Sequence, residues 1–155
     1  MTSDDALSAL MHGELHAFAD WPIGSVPRAP GIYTIWRRSD FLYVGIAGCG
    51  ASGQASTGLW GRLNSHASGR RSGDQFCIYV CDRLVLPTLA GRLQEVADGR
   101  LSLDALTRTF IRQQLGFRLA PVASYSEAQQ LENQIKRGGL PAIGRPLLNP
   151  GSTPD

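Results

Sequence analysis

Long apolar runs are missing from this sequence of 155 residues. No stretch approaches the roughly 18 consecutive apolar residues that a membrane-spanning helix requires. The N-terminus also has neither the basic region nor the apolar region of a secretory signal peptide. These absences argue against membrane insertion and secretion, and they predict a cytoplasmic protein with no membrane partner.

Cysteine is scarce as well, and Cys49, Cys77 and Cys81 lack the spacing of a metal site. In a strand predicted near 75–81, Cys77 and Cys81 would lie about 13 Å apart, at roughly 3.3 Å per residue. That separation is too long for a disulfide. The sequence therefore predicts reduced, mostly packed thiols, in agreement with an intracellular location.

Lysine occurs only once, at Lys136, so arginine supplies fourteen of the fifteen basic residues (15 − 1). A guanidinium group is a planar fork that matches phosphate oxygens. A compositional bias of the source genome would explain the same excess. The basic residues form no block, and the net charge is only +2, which excludes a long basic tail for non-specific DNA binding.

The length and an apolar fraction of 43% predict one domain over residues 1–155 that folds without disulfides or structural metal. Periodicity and caps predict helices at 4–19, 59–69, 88–98 and 102–115, and a last helix that begins at Ser126. Strands are predicted at 31–37, 41–46, 75–81 and 117–123. The expected fold class is α+β, a small mostly antiparallel β-sheet flanked by helices.

Within this domain, residues 1–29 form a predicted N-terminal helix and connector, and residues 30–150 form the core. Within the core, the segment 82–116 is predicted to be mostly helical. Residues 47–58 are rich in glycine, serine and alanine and are predicted to form a mobile surface loop.

Two tyrosine-bearing tripeptides, Gly31-Ile32-Tyr33 and Tyr43-Val44-Gly45, lie at opposite ends of the predicted hairpin. If residue 37 faces residue 41, Tyr33 faces Gly45 and Tyr43 faces Ile35, so both phenols lie on one side of the sheet. A one-residue shift in register would separate them. The glycines are expected to leave room for a ligand beside the backbone.

Three further polar features lie on predicted helices and in the tail. Arg62 and His66 are four residues apart, so they share one helix face, where they can bind a phosphate oxygen and accept a proton. Glu132 borders the apolar stripe of the last helix, where a carboxylate needs a partner or a metal. Lys136, at i+4, offers a simple ion pair instead. Asn149 lies in the proline-containing tail.

Together these features resemble the GIY-YIG nuclease family. The resemblance extends over about residues 30–150 and includes the two tripeptides, Arg62 with His66, the Leu131–Lys136 segment around Glu132 and the Pro146-Leu147-Leu148-Asn149 ending. Val44 stands where isoleucine is usual in the family. Compared with the family's minimal core, 82–116 is an extra segment, which either packs on the domain or touches substrate. The resemblance implies a small sheet with helices and an endonuclease that hydrolyses nucleic-acid phosphodiesters, with DNA favoured over RNA, using one divalent cation, Mg²⁺ or Mn²⁺.

The resemblance also implies roles for individual residues. Glu132 would bind the cation, Arg62 would neutralise the phosphate, and Tyr33 with His66 would deprotonate the attacking water. Either Tyr33 or His66 would be the final proton acceptor. Tyr43 would position the phosphate, and Asn149 would steady the metal side of the site.

Three interpretations of the function remain at this stage. The chain is a nuclease, a DNA-binding module of the same fold that no longer cleaves, or a structural or protein-interaction domain. A weaker possibility is a metal site at His12 and His16 around Glu14, which would require all three on one helix. The glutamate position does not fit the zinc-protease pattern.

Overall fold

The computed structural model describes residues 2–48 and 57–150 and has an α+β architecture. Its strands are β1 (His16–Ala17), β2 (Gly31–Arg37), β3 (Asp40–Ala47) and β4 (Gly116–Pro121). Its helices are α1 (Ser3–His12), α2 (Gly58–Ala67), α3 (Gln75–Val80), α4 (Leu93–Ala97), α5 (Leu103–Gln114) and α6 (Tyr125–Gly138). The strands form one open antiparallel sheet in the order β1-β4-β2-β3. The predicted fold class is confirmed.

Each face of the sheet is covered by its own apolar cluster. On one face, Ile32, Val44 and Ala120 pack with Leu10 of α1 and Ile135 of α6. On the other face, the cluster contains Tyr33, Ile35 and Phe117 from the sheet, together with Leu63 of α2, Phe76 of α3 and Ile111 of α5. The sheet is therefore the middle of three layers. No helix within the described ranges is long and apolar enough to cross a membrane.

The hairpin of β2 and β3 has the predicted register where it matters for the tyrosines. Tyr33 pairs with Gly45 and Ile35 pairs with Tyr43. The predicted pairing of residues 37 and 41 is wrong, because Arg37 pairs with Asp40 and the register shifts between Ile35 and Trp36. This β-bulge adds one residue to β3 near the turn without moving the tyrosines apart.

The N-terminal helix is shorter than the predicted 4–19. It ends at His12, where Gly13 has an extended backbone, and His16–Ala17 pairs with β4 instead. Pairing with the sheet and burial of Phe18 override the apparent helical period. His12 and His16 consequently do not share a helix face, and the weak metal alternative around Glu14 loses its geometric basis.

The predicted strand at 75–81 is wrong. Residues Gln75–Val80 are α-helical, and the helix continues as a wider π-type turn over Cys81–Val85. Asp74 caps this helix by accepting a hydrogen bond from the Cys77 amide at 3.1 Å. Cys77 and Cys81 are four residues apart on the helix and are buried free thiols. Of the predicted mobile loop at 47–58, Ala47 belongs to β3 and Gly58 begins α2; Cys49 and the rest of residues 49–56 lie outside the described part of the chain.

The 82–116 segment packs on the domain, since Val85, Leu89, Ile111 and Leu115 belong to the same apolar cluster as Tyr33. The predicted helix at 88–98 is interrupted, because Gly91 has φ +84° between a 3-10 turn at Leu86–Leu89 and α4. The predicted helix at 102–115 is confirmed as α5, with Ser102 as its N-cap.

The C-terminal part closes the free edge of the sheet. Helix α6 begins after Ser124, which caps it in place of the predicted Ser126, and it ends at Gly139 with φ +78°. Beyond it, the Leu147 and Leu148 amides donate to the Phe41 and Leu42 carbonyls. Because β3 is an edge strand, this segment satisfies backbone groups that would otherwise be open to another chain.

Candidate active site

A cleft of about 230 Å³ opens where β2, β3, α2 and α6 meet. Five of the six predicted site residues line it, namely Tyr33, Tyr43, Arg62, His66 and Glu132. Asp74, at the start of α3, lines it as well. Helix α6 packs on the far face of the sheet, and Glu132 borders the cleft beside Gly45 and Ile46 at the β3 edge. Residues far apart in the sequence therefore converge on one small volume.

A chain of short hydrogen bonds runs inward from this cleft. The Tyr33 hydroxyl lies 2.6 Å from His66 Nε2, and His66 Nδ1 lies 2.7 Å from Asp74 Oδ2. Ser65 Oγ also donates to Asp74 Oδ2, at 2.8 Å. Tyr33, His66 and Asp74 have exposed fractions of 1%, 2% and 3%. A buried carboxylate needs such partners, and here three donors supply them.

Burial and hydrogen bonding fix where the protons of this chain reside. Burial alone would raise the pKa of Asp74, but the bonds from His66, Ser65 and the Cys77 amide lower it to about 2. Burial lowers the pKa of His66, and Asp74 opposes that shift only in part. An ionised carboxylate only accepts, so His66 carries its proton on Nδ1 at neutral pH. Its Nε2 is then free to accept from the Tyr33 hydroxyl.

The two phenols differ in their surroundings. Burial raises the pKa of Tyr33 well above its usual value, Tyr43 raises it further, and the Arg62 charge acts against the rise. Burial also raises the pKa of Tyr43, and the Glu132 carboxylate adds to the effect. The two ring centroids are 6.4 Å apart, so the phenols share one side of the sheet as the register predicts. Among the described residues, the Tyr43 hydroxyl has no hydrogen-bond partner.

The two motif glycines are required by packing within the protein. At Gly45, a Cβ would collide with the hydroxyl and Cζ of Tyr33, which crosses this position from the paired strand. At Gly31, a Cβ would lie 2.8 Å from the Ala120 carbonyl oxygen and would also collide with Leu59. The expectation that these glycines leave room for a ligand is therefore wrong, because the protein itself fills the space.

Arg62 is the cationic group of the cleft. Its side chain is exposed, and within residues 2–48 and 57–150 it makes no hydrogen bond or ion pair. It also borders a neighbouring pocket of about 210 Å³. A guanidinium without a protein partner, beside two phenol hydroxyls, is suited to bind an anion.

Glu132 combines burial with a single charged neighbour. Its exposed fraction is 9%, and its Oε1 forms an ion pair with Lys136 Nζ, one helical turn later. The helix ion pair that the spacing predicts as an alternative is thus present. The same carboxylate faces the cleft, so the pair and a metal ion would compete for it.

The family resemblance implies a divalent cation, and the cleft residues fit one with few protein ligands. Among the described residues, no group of three or more histidine, cysteine, aspartate or glutamate side chains could enclose a metal. One carboxylate in a polar cleft nevertheless suits Mg²⁺, which keeps most of its waters and uses one or two protein carboxylates. Glu132 therefore fits as a single ligand, provided that Lys136 releases it.

Asn149 lies outside the cleft lining. Its side-chain oxygen accepts from the Val44 amide at 2.9 Å, and its nitrogen donates to the Val44 carbonyl at 3.0 Å. This buried amide therefore extends the sheet by one side chain and fixes the strand between Tyr43 and Gly45. The structure gives Asn149 a positioning contact on β3, and its predicted role beside a metal remains a prediction.

Asp74 is the site residue that the sequence reasoning missed. Because the sequence pattern at 75–81 predicts a strand, it predicts no helix cap at Asp74. An aspartate three residues ahead of a buried amide is a typical helix N-cap signal and could have revealed the residue.

No family model, curated protein or solved structure matches this chain.

Proposed function

We propose that this protein is a metal-dependent endonuclease of the GIY-YIG kind, which hydrolyses phosphodiester bonds in nucleic acid, DNA in preference to RNA. The observation that carries the proposal is the Tyr33–His66–Asp74 hydrogen-bond chain in the same cleft as Arg62 and Glu132. Proton transfer from water, neutralisation of a phosphate and metal binding are the three tasks of such a hydrolysis. The cleft has a group suited to each task.

The proposed proton path leads from water to His66. Tyr33 would accept the proton of a water molecule while its own hydroxyl proton passes to His66 Nε2. A free phenolate is disfavoured because burial raises the Tyr33 pKa. Tyr33 would therefore pass its hydroxyl proton to His66 as it accepts the proton of the water, and it would not act as a phenolate base. Asp74 would then stabilise the resulting imidazolium. His66 is thus the proposed final acceptor, and Tyr33 the group that touches the water.

Arg62 and Tyr43 would act on the phosphate. The Arg62 guanidinium would neutralise negative charge that grows on the phosphate oxygens in the transition state. The unbonded Tyr43 hydroxyl would donate a hydrogen bond to one of them, which keeps the phosphate beside Tyr33. Glu132 would hold the cation, Mg²⁺ or Mn²⁺, whose chemistry is to polarise the phosphate and stabilise the leaving oxygen. Lys136 would release Glu132 when the cation binds.

The direct test is plasmid cleavage by the purified protein. Supercoiled DNA should be nicked or cut with Mg²⁺ or Mn²⁺ and remain intact with chelator, and single-stranded DNA and RNA in parallel would define the substrate. Glu132→Gln should remove cleavage, since the amide keeps the shape but loses the charge. Glu95→Gln is the matched control, because Glu95 pairs with Arg92 on the protein surface. Full activity in Glu132→Gln would refute the metal role.

One observation favours the rival function, a nucleic-acid-binding module that does not cleave. Glu132 is already neutralised by Lys136, so a cation is not needed to satisfy the carboxylate. Nucleic-acid binding that persists with no turnover in Mg²⁺, Mn²⁺ or Ca²⁺ would support this rival. The buried Tyr33–His66–Asp74 chain weighs against it, because nothing in mere binding requires such a proton path.

A further inference from the structure

A polar groove of about 560 Å³ lies between the C-terminal half of α2 and helix α5. Three arginines line it, namely Arg70, Arg108 and Arg112. The rest of its lining consists of three serines and Asn64, and no carboxylate belongs to the lining that the structure describes. The Ser65 and Ser68 hydroxyls donate within the protein, to Asp74 and to the Ser65 carbonyl. The groove therefore presents to the solvent positive charge and the exposed hydroxyl of Ser72.

The charge of this groove is largely unspent within the protein. Arg70 and Arg108 have exposed side chains with no ion pair in the described part of the chain. Arg112 donates through Nε to the Ala67 carbonyl at 3.0 Å, which holds its guanidinium in place. The nearby Asp104 is engaged by Arg71, at 2.7 Å. Two arginines thus remain available, and a third is oriented in advance.

The two walls of the groove are locked together. Gly69, just after α2, has φ +70° and lies against the backbone of α5. A Cβ at this position would be 2.5 Å from the Cα of Arg108. Only glycine combines this backbone conformation with such close contact. The arginines on α5 are therefore held at a fixed distance from α2.

The groove is connected with the candidate active site through shared lining residues. Arg62 borders both the cleft and the adjacent pocket, and Ser65 borders both that pocket and the groove. Ser65 also bonds to Asp74 at 2.8 Å. A continuous polar track thus follows α2 from Arg62 toward Arg70.

We infer that this groove binds the phosphate backbone of the same nucleic-acid strand whose phosphodiester lies in the cleft. From Arg62 to Ser68 the helix rises about 9 Å, at 1.5 Å per residue. Phosphates along one strand advance about 3.4 Å each, so the groove meets phosphates about three nucleotides from the scissile one. Guanidinium forks and hydroxyls bind phosphate without reading bases, so the contact gives affinity independent of sequence.

An acidic protein segment would satisfy the same guanidinium groups. The connection with the cleft favours nucleic acid, because one polymer would occupy both places. The inference rests on the proposed function for its ligand, and binding is measured without cleavage so that the two can fail separately.

The test measures how the binding affinity depends on salt concentration. Binding is measured by the fluorescence anisotropy of labelled 12-nucleotide single strands and duplexes, with chelator present to prevent cleavage. The variant is Arg70→Ala with Arg108→Ala, which retains the Cβ that packs beside Gly69. The control is Arg92→Ala with Arg100→Ala, which removes the same charge from surface pairs with Glu95 and Asp98. The loss of two phosphate contacts should reduce the slope of log affinity against log salt by about 1.8 for duplexes.

With this difference in slope, the ratio of the wild-type affinity to the groove-variant affinity should fall about 12-fold between about 0.05 and 0.2 M salt. The control should keep the wild-type slope. Equal slopes for both variants, or no binding by the wild type, would overturn the groove proposal. If plasmid is cleaved but the slopes agree, the groove alone fails. If no metal supports cleavage but the groove variant has a smaller slope of log affinity against log salt than the wild type, the nuclease proposal is refuted and the groove proposal is retained.

Discussion

The Tyr33 hydroxyl lies 2.6 Å from His66 Nε2, and both groups are buried against the second layer of helices. This contact depends on the close packing of β2 against α2. Leu59 of α2 packs against Gly31 of β2, where a Cβ would collide with the Leu59 side chain. It joins two buried groups that both line the cleft, one on the sheet and one on α2.

Tyr33→Phe should remove most cleavage while the fold is kept. The ring still packs, but the water loses its contact and His66 Nε2 loses its donor. We expect kcat to fall by about 100-fold or more, since positioned acid–base groups contribute that much. Steady-state nicking assays measure this, with Tyr79→Phe as the control because Tyr79 lies outside the cleft lining. A wild-type rate in Tyr33→Phe would show that water is activated elsewhere.

Asp74→Asn should change both the rate and its pH dependence. Asparagine still caps α3, so the loss of charge is tested with little loss of the helix. Without the carboxylate, the pKa of His66 falls further, because Asp74 is what raises it. The acidic limb of the rate profile should move to lower pH, and kcat should fall about 100-fold. A purely structural role of Asp74 would lower stability and leave the limb in place.

Acid should destabilise the fold in two steps. The pKa of His66 is lowered in the folded state from 6.5, so stability is lost as pH falls below that value. The pKa of Asp74 is lowered from 3.8 to about 2, so its contribution is lost as pH falls through that range. Urea unfolding from about pH 8 to about pH 2 measures the slope through both steps. In His66→Gln the slope between pH 6.5 and 4 should flatten, and an unchanged slope would contradict the assignment.

Lys136→Met should strengthen the apparent affinity for Mg²⁺. Methionine keeps the side-chain length but releases Glu132 from its ion pair. We expect half-maximal cleavage at a Mg²⁺ concentration lower by about twofold, since an i,i+4 helix pair is worth roughly 0.3–0.5 kcal/mol. Arg137→Met, on the same helix, serves as the control. An unchanged Mg²⁺ requirement would mean that the pair does not compete with the cation.

Asn149→Ala should weaken the sheet edge and the site together. It removes two buried hydrogen bonds to Val44, each worth about 1 kcal/mol. We expect the free energy of unfolding to fall by about 2 kcal/mol and cleavage to slow because Tyr43 and Gly45 lose support. Saturating Mg²⁺ should not restore the rate. Full restoration by excess Mg²⁺, with unchanged stability, would instead favour a role beside the metal.

The hairpin could be predicted because alternating side chains and two glycines leave few registers open. Tyr33 opposite Gly45 follows from that pattern, and so does the shared side of the two phenols. Arg62 and His66 could be placed on one face because α2 has a clear apolar stripe. These features are local or depend on a single pairing.

The helix at 75–85 could not be predicted because every residue from Phe76 to Cys81 is apolar or aromatic, so the sequence shows no polar face that would separate a helical period from a strand period. Phe76, Cys77, Val80 and Cys81 are all fully buried, and residues between them are half-buried. Such a segment resembles a strand when its residues are aromatic or β-branched. Asp74 is the N-cap of this helix, so its place in the site could not be predicted either. The contact of Asn149 with Val44 spans 105 residues and leaves no local trace in the sequence.

The segment that covers the edge of β3 and the Glu132 carboxylate of α6 both come after residue 130. During synthesis, the hairpin and α2 leave the ribosome well before Glu132 and the segment from Leu147 to Asn149. A nascent chain would carry Tyr33 and His66 but neither the acidic group nor the support for β3. On the proposed function, cleavage by a growing chain would therefore have to wait until residue 149 has left the ribosome and packed against β3, which would spare nucleic acids near the ribosome.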